Sequence, residues 1–311
     1  MESLKDTKII KFHPDTLEAI RKLYGLDQPG AINDAIDILQ EWTKKQDHFM
    51  KKDFSREFLE RLLIRSKGSV ERSKQTLDKL CTAKTLMSKF FANCNVKELT
   101  HLEIVEDVIL PRLTSDYYRV YLLRNVGQEF EYEFYTNYFR RLVYLLEYEY
   151  INDYVAGVVA IFDFRQMNLG AHLRKLSFVD LQQFLTMAME CYGFRIKGIH
   201  FISTSKLVEA LVAMFKQILS GKVASRIYVH NSLESLHEHV EKAVLPKDYG
   251  GDEMTLTEIH QLKLDTLTTE EFMDYMKMMN AAGTNEAYRQ ADKYNEQVMG
   301  MPGSFRTLRV D

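Results

Sequence analysis

This sequence is short of most of the residues that would place it quickly. It has three cysteines in 311 residues, Cys81, Cys94 and Cys191. An odd number without a C-x-x-C pair excludes a disulfide framework and a thiol redox motif, and reduced thiols in a cytosolic protein are the expectation. Five prolines and fourteen glycines give no low-complexity stretch and no linker of length. No apolar run reaches the ~18 residues of a membrane span, and the charged start Met-Glu-Ser-Leu-Lys-Asp-Thr-Lys lacks a signal core. Charge of one sign is missing too: 41 basic against 44 acidic residues leave −3, which argues against a general nucleic-acid binder.

Catalytic signatures are equally scarce. There is no H-E-x-x-H and no G-x-S-x-G, and Gly221-Lys222 lacks the earlier glycine of a phosphate loop. His230, His237 and His239 are close in sequence, but residues two apart on a helix do not share a face. No metal site or cofactor is therefore expected. Asp163 ends an apolar segment, where a catalytic carboxylate would fit and a loop-capping aspartate would fit as well.

What is present is a change of periodicity along the chain. From 14 to 91, apolar residues recur at helical steps, as in Leu17, Ile20 and Leu23, then Ile32, Ala35, Ile36, Leu39 and Trp42, then Phe58, Leu59, Leu62 and Leu63. Asp53 is placed to cap that third helix. No period-two alternation interrupts this region, so an all-helical domain is expected over 1–95.

After about residue 100 strands and helices alternate. Strands are expected at 116–124, 154–164, 192–202 and 226–231, with helices over 134–150, 177–191 and 205–219. The last of these carries Leu207, Leu211, Phe215 and Ile218 on one face, widened by Val208, Val212 and Leu219. Strand, helix, strand at this spacing is a βαβ unit with a parallel sheet. The fold class is α/β with helices on both faces of a mainly parallel sheet, over 96–262. A helical and irregular tail follows over 263–311, ending in Met299-Gly-Met-Pro-Gly-Ser-Phe-Arg.

Two groups of residues invite a functional reading. Phe134, Tyr138, Phe139, Phe184, Met187 and Phe215 are bulkier than a two-layer interface needs, and either form plain core or line an apolar cavity. With Ile161, Ile199, Phe201, Leu207, Leu211 and Ile218 they make the expected pocket. Arg195 and Lys197 are two apart on a strand, and Lys222 and Arg226 four apart after the amphipathic helix. They are either solvated charges or a cluster for phosphates or an anionic membrane.

The segments Arg195-Ile-Lys-Gly-Ile-His-Phe-Ile, Lys222-Val-Ala-Ser-Arg-Ile-Tyr-Val-His and Leu245-Pro-Lys-Asp-Tyr-Gly-Gly resemble the CRAL-TRIO family, and Phe58 to Lys74 resembles that family's N-terminal helical domain. The resemblance implies a monomeric, non-enzymatic carrier of a hydrophobic small molecule, cytoplasmic with transient peripheral membrane association. The helix from about Ser205 to Leu219 would be a mobile gate over the pocket. Arg195, Lys197, Lys222 and Arg226 match positions that hold a phosphoinositide headgroup in the family, implying headgroup-assisted release at membranes. The alternative is a phosphoinositide-sensing module without cargo. One position departs: the family's helical-domain arginine falls on Ile64, with Arg65 one place later.

Overall fold

The computed structural model describes residues 4–99, 102–127 and 133–289. The expected tail at 299–306 lies outside them. Four helices open the chain: α1 (Thr16–Leu23), α2 (Ala31–Lys44), α3 (Arg56–Arg65) and α4 (Val70–Leu86). Ser55 and Ser69 accept hydrogen bonds from Phe58 N and Arg72 N and so cap α3 and α4. Asp53, expected in the first role, instead pairs with Lys51 at the surface. Leu59, Leu62, Leu77 and Leu80 make the inward stripes of these helices.

The sheet has five strands in the order of the chain, β1 (Val105–Ile109), β2 (Tyr118–Asn125), β3 (Gly157–Asp163), β4 (Ile196–Ile202) and β5 (Ile227–His230). All neighbours are parallel except β1, which runs antiparallel to β2. The sequence pattern suggests four strands, and β1 is a fifth. Its Glu106-Asp107 pair hides a strand, because Asp107 is buried between Arg141 and Lys263 at 2.5 and 2.9 Å.

Since β2 to β5 follow one another in a single direction, right-handed crossovers put every connecting helix on the same face. There lie α5 (Phe134–Asn152), α6 (Leu169–Lys175), α7 (Phe178–Thr186) and α8 (Val208–Ile218), the last followed by the one-turn α9 (Gly221–Ala224). The other face must be covered by chain returning after β5. Leu236 of α10 (Leu233–His237), then Val240, Leu245 and Tyr249, then Leu256 and Ile259 of α11 (Leu256–Leu267) pack there against Val120, Leu122 and Ile161. α11 runs unbroken across position 262, where the sequence had suggested a boundary, and α12 (Glu270–Asn280) returns to α5 through Phe272 and Tyr148.

The helical region is fastened to α5 by buried charge. Lys84 on α4 pairs with Glu147 at 2.5 Å, and that carboxylate also accepts from Tyr192 and Tyr275. The three cysteines are free, and burial pushes the thiols of Cys81 and Cys191 up to about 12. No described helix is long and apolar enough to cross a membrane.

Candidate functional site

The helices on the crossover face do not fill it. Between α5, the near faces of β2 and β3, α6 and α8 lies an apolar cavity of about 90 Å³. Phe134, Tyr138 and Phe139 of α5 form one wall, Phe162 and Phe164 the sheet side, and Leu211 and Phe215 of α8 a lid. This is well below the roughly 300 Å³ at which ligand pockets begin, so the ligand-sized void expected from sequence is not present in this conformation.

The lid is attached through apolar side chains. Val208, Leu211 and Phe215 are its buried residues, while Glu209, Lys216 and Gln217 are exposed. Among the described residues, no α8 side chain makes a hydrogen bond or ion pair with another element. Three buried apolar side chains at roughly 1.5–3 kcal/mol each hold it down.

Of the twelve expected pocket residues, Phe134, Tyr138, Phe139, Leu211 and Phe215 meet at this cavity. Phe184 stands one layer behind, stacked on Phe139 at 4.8 Å. Phe201 is covered by the rings of Phe162, Phe164 and Phe215. Ile199 is buried in the same core, Met187 in a π-helical turn after α7, and Ile218 packs half-buried at its edge. Two expectations fail. Ile161 points to the opposite face of the sheet, against Tyr249 and Ile259, and the cavity residue on β3 is its neighbour Phe162. Leu207 precedes α8 and is 47% exposed.

Sequence reading also missed α6, which brings His172 to the wall. The Tyr135 hydroxyl and His172 Nδ1 share a hydrogen bond at 2.7 Å, and burial, with Lys175 nearby, lowers the imidazole to about 4. A histidine on a seven-residue helix gives no periodic signal that could have found it.

The four basic residues converge on a second feature, an open groove of about 640 Å³ between the helical region and the sheet. Arg195, Lys197, Lys222 and Arg226 line it together with Tyr24 and Lys67, which the sequence did not suggest. The placements differ in detail from the expected pairs. Arg195 lies just before β4, and its guanidinium covers the Tyr24 ring at 4.5 Å and donates to Val155 O at 3.2 Å. Lys197 occupies a bulge where Val158 and Val159 pair with Ile196 and Gly198, and its amine lies 4.8 Å from the Tyr118 ring centre. Lys222 is exposed on α9, whereas Arg226 is past the helix and caps Ile196 O at 2.6 Å. Lys222 and Arg226, four apart in the sequence, therefore share no helix face.

Burial lowers the Lys197 ammonium, and so does the positive charge of Arg195, Arg226 and Lys222. Among the described residues none of these five cations forms an ion pair with a carboxylate. Ile64 is turned into the helical core, and Arg65 lies between the Tyr150 and Phe194 rings. Lys67, in a left-handed turn with φ 57°, is the residue by which that segment reaches the groove.

Asp163 is a loop cap. Its carboxylate accepts from Arg165 N, Nε and Nη2, and from the Tyr249 hydroxyl at 2.7 Å. That last bond explains the Leu245-Pro-Lys-Asp-Tyr-Gly-Gly element. Tyr249 reaches under the sheet to the end of β3, Gly250 turns the chain at φ 72°, and a Cβ on Gly251 would meet Leu245 O at 2.1 Å. No group of described residues could hold a metal ion; His200 and His230 bond to each other at 2.9 Å.

Family models match over these segments. Residues 108–251 match the family described as CRAL/TRIO domain, and residues 28–100 match the Pinta-like UBA domain. The chain contains a CRAL/TRIO domain. Over 98 residues, 31% of this chain, it is 29% identical to alpha-tocopherol transfer protein-like from Homo sapiens. Over 92 residues, 29% of the chain, it is 32% identical to clavesin-1 from Rattus norvegicus. The matched stretches span 28% and 24% of those relatives, so the chain aligns with less than a third of the length of either. The solved structure of Sfh5 is 12% identical, covers 86% of this chain and 98% of its own, and superposes at a TM-score of 0.45. The CRAL/TRIO domain here comprises the strands from Val108 onward, the cavity, the lid and the Tyr249 element.

Proposed function

We propose that this CRAL/TRIO protein binds a hydrophobic small molecule in the cavity under α8 and transfers it, with α8 as the gate. The observation that carries the reading is the lid itself. A helix closing an apolar cavity through apolar contacts alone, with its polar side chains in water, is built to leave and return. The 90 Å³ of the closed form is then the collapsed state, and cargo enlarges it by displacing Leu211 and Phe215. Burial of a long apolar ligand would more than replace the contacts the lid gives up.

Phosphoinositide-assisted release is the finer part of the proposal. It is supported by five cations around one open groove without carboxylate partners among the described residues, since clustered guanidinium and ammonium groups suit a multiply charged phosphate. The α9 turn that carries Lys222 follows directly on α8, so a headgroup held there would pull on the gate's C-terminal end.

Native mass spectrometry of the purified protein tests the carrier reading. A lipid retained at one per chain is expected. A mass equal to the bare polypeptide, unchanged after incubation with a lipid extract, would favour a phosphoinositide sensor without cargo.

A further inference from the structure

One face of α4 is polar although it looks onto the CRAL/TRIO domain. Arg72, Gln75, Thr76 and Lys79 recur at three- and four-residue steps, which puts them on one side of the helix. They line a pocket of about 240 Å³ with Arg65, Ser66 and Lys67 at the end of α3 and residues of the segment 189–195. Two contacts frame it. Lys79 pairs with Glu190 of the π-helical turn at 2.8 Å, and Gly193, at φ 67°, brings its backbone against Arg65. The pocket lies beside the basic groove and shares Lys67 and Arg195 with it, whereas Lys197, Lys222 and Arg226 line the groove alone.

The pocket is rich in donors that meet nothing. Ser66 is 5% exposed, and its hydroxyl has no partner among the described residues. The Arg195 Nε–H is likewise buried without an acceptor. Among the described residues, the side chains of Lys67, Arg72 and Thr76 make no hydrogen bond or ion pair. Arg65 is occupied, since it lies between the Tyr150 and Phe194 rings and donates to Glu149 O. The one carboxylate of the lining, Glu190, is held by Lys79. A buried donor without an acceptor is destabilising, and a ligand that supplies acceptors and negative charge removes that cost. A phosphate presents three strong acceptor oxygens. They match donors that arrive from α3, from α4 and from the segment before β4.

We propose that the pocket between α4 and the π-helical turn binds a phosphate group, held by the Ser66 and Thr76 hydroxyls, Arg72 and Lys67. Its source is either a phosphate free in solution or a further phosphate on a headgroup seated in the groove, since the two spaces meet at Lys67 and Arg195. Only the second source rests on the headgroup reading above.

The test titrates inorganic phosphate into the full-length protein by calorimetry, with chloride at matched ionic strength as the blank. One phosphate per chain is expected. Arg72→Gln should weaken it by about tenfold or more, Ser66→Ala by about fivefold to tenfold, and Lys222→Ala should leave it unchanged. Ser66→Ala removes no hydrogen bond within the protein, so its Tm without phosphate should stay within a degree or two of the wild type. A second arm measures co-sedimentation with phosphatidylcholine vesicles holding phosphatidylinositol that carries one added phosphate or two. A loss in Arg72→Gln confined to the lipid with two would identify the headgroup as the source. Phosphate binding by a protein that neither retains cargo nor sediments with vesicles would keep this site while the carrier reading fails. No calorimetric binding, together with vesicle binding that Arg72→Gln leaves unchanged or weakens equally on both lipids, would overturn the proposal. So would phosphate binding that is lost in Lys222→Ala and kept in Arg72→Gln and Ser66→Ala.

Discussion

Tyr249 donates its hydroxyl to Asp163 Oδ2 at 2.7 Å, joining residues 86 apart across the far face of the sheet. Burial, and then the neighbouring carboxylate, push the phenol up, so it remains a donor throughout the range in which the protein folds. Asp163 keeps Arg165 as a second partner, which limits what is lost when Tyr249 is removed. Tyr249→Phe should cost about 1–2 kcal/mol, the range for a hydrogen bond to a charged group with one partner left. For a chain of this size that lowers Tm by a few degrees, roughly 2–4 °C per kcal/mol. The same substitution in an Asp163→Asn background should have less than half the effect. Full additivity in calorimetry would show that the bond contributes little.

The lid makes a sharper prediction. Phe215→Asp would set an unpaired carboxylate against the cavity and the Phe162 and Phe201 rings. Ligand retention should be abolished while far-UV circular dichroism stays that of the folded protein. In the unmodified protein, amide exchange over 208–218 should run faster than over 157–163, because α8 opens without breaking the sheet. Equal protection of the two segments would make α8 a fixed part of the core.

How far the sequence could be read depended on whether one element or two were needed. The amphipathic stripe of α8 is a property of one helix, and Leu211 and Phe215 follow from it directly. β3 is apolar on both faces, as an inner parallel strand is, so alternation cannot say which face holds the cavity. The pattern therefore admits Ile161 as readily as Phe162, the residue that faces the cavity. β1 was hidden for the opposite reason, since its buried Asp107 reads as a surface residue until Arg141 and Lys263 arrive from α5 and α11. Arg195, Lys197, Lys222 and Arg226 were visible as spaced charges, but Tyr24 and Lys67 join them only through docking of the helical region, which no local pattern encodes.

Glu149 predicts a pH dependence of stability. Its carboxyl is buried in α5, and desolvation, with Asp153 adding to it, raises it to about 8 against the pull of Arg65 and Arg119. A carboxyl raised in the folded state leaves stability intact below its unfolded pKa of about 4.5 and erodes it as pH climbs towards 8. The loss across that window is on the order of 3–5 kcal/mol. Glu149→Gln keeps the shape and cannot ionise. It should match the wild type near pH 5 and exceed it by several degrees in Tm at pH 8. Parallel melting curves at both pH values would mean the carboxyl is solvated in solution.

The basic groove can be tested without disturbing the sheet. Arg226 caps Ile196 O and Arg195 bonds Val155 O, so their removal would confuse binding with folding. Lys67 and Lys222 are exposed, and neither holds a structural partner through its ammonium among the described residues. Each cation near an anionic surface is worth about 1 kcal/mol, so Lys67→Ala with Lys222→Ala should weaken vesicle binding about thirtyfold. The loss should require phosphoinositide in the phosphatidylcholine vesicles and shrink as salt rises, because added ions screen exposed charge over about 10 Å or less. The Tm should stay within a degree or two of the wild type, as expected for solvated side chains. Co-sedimentation in low salt gives the answer. Equal binding by the double variant, or a loss of the same size on vesicles without phosphoinositide, would leave the groove as ordinary charged surface.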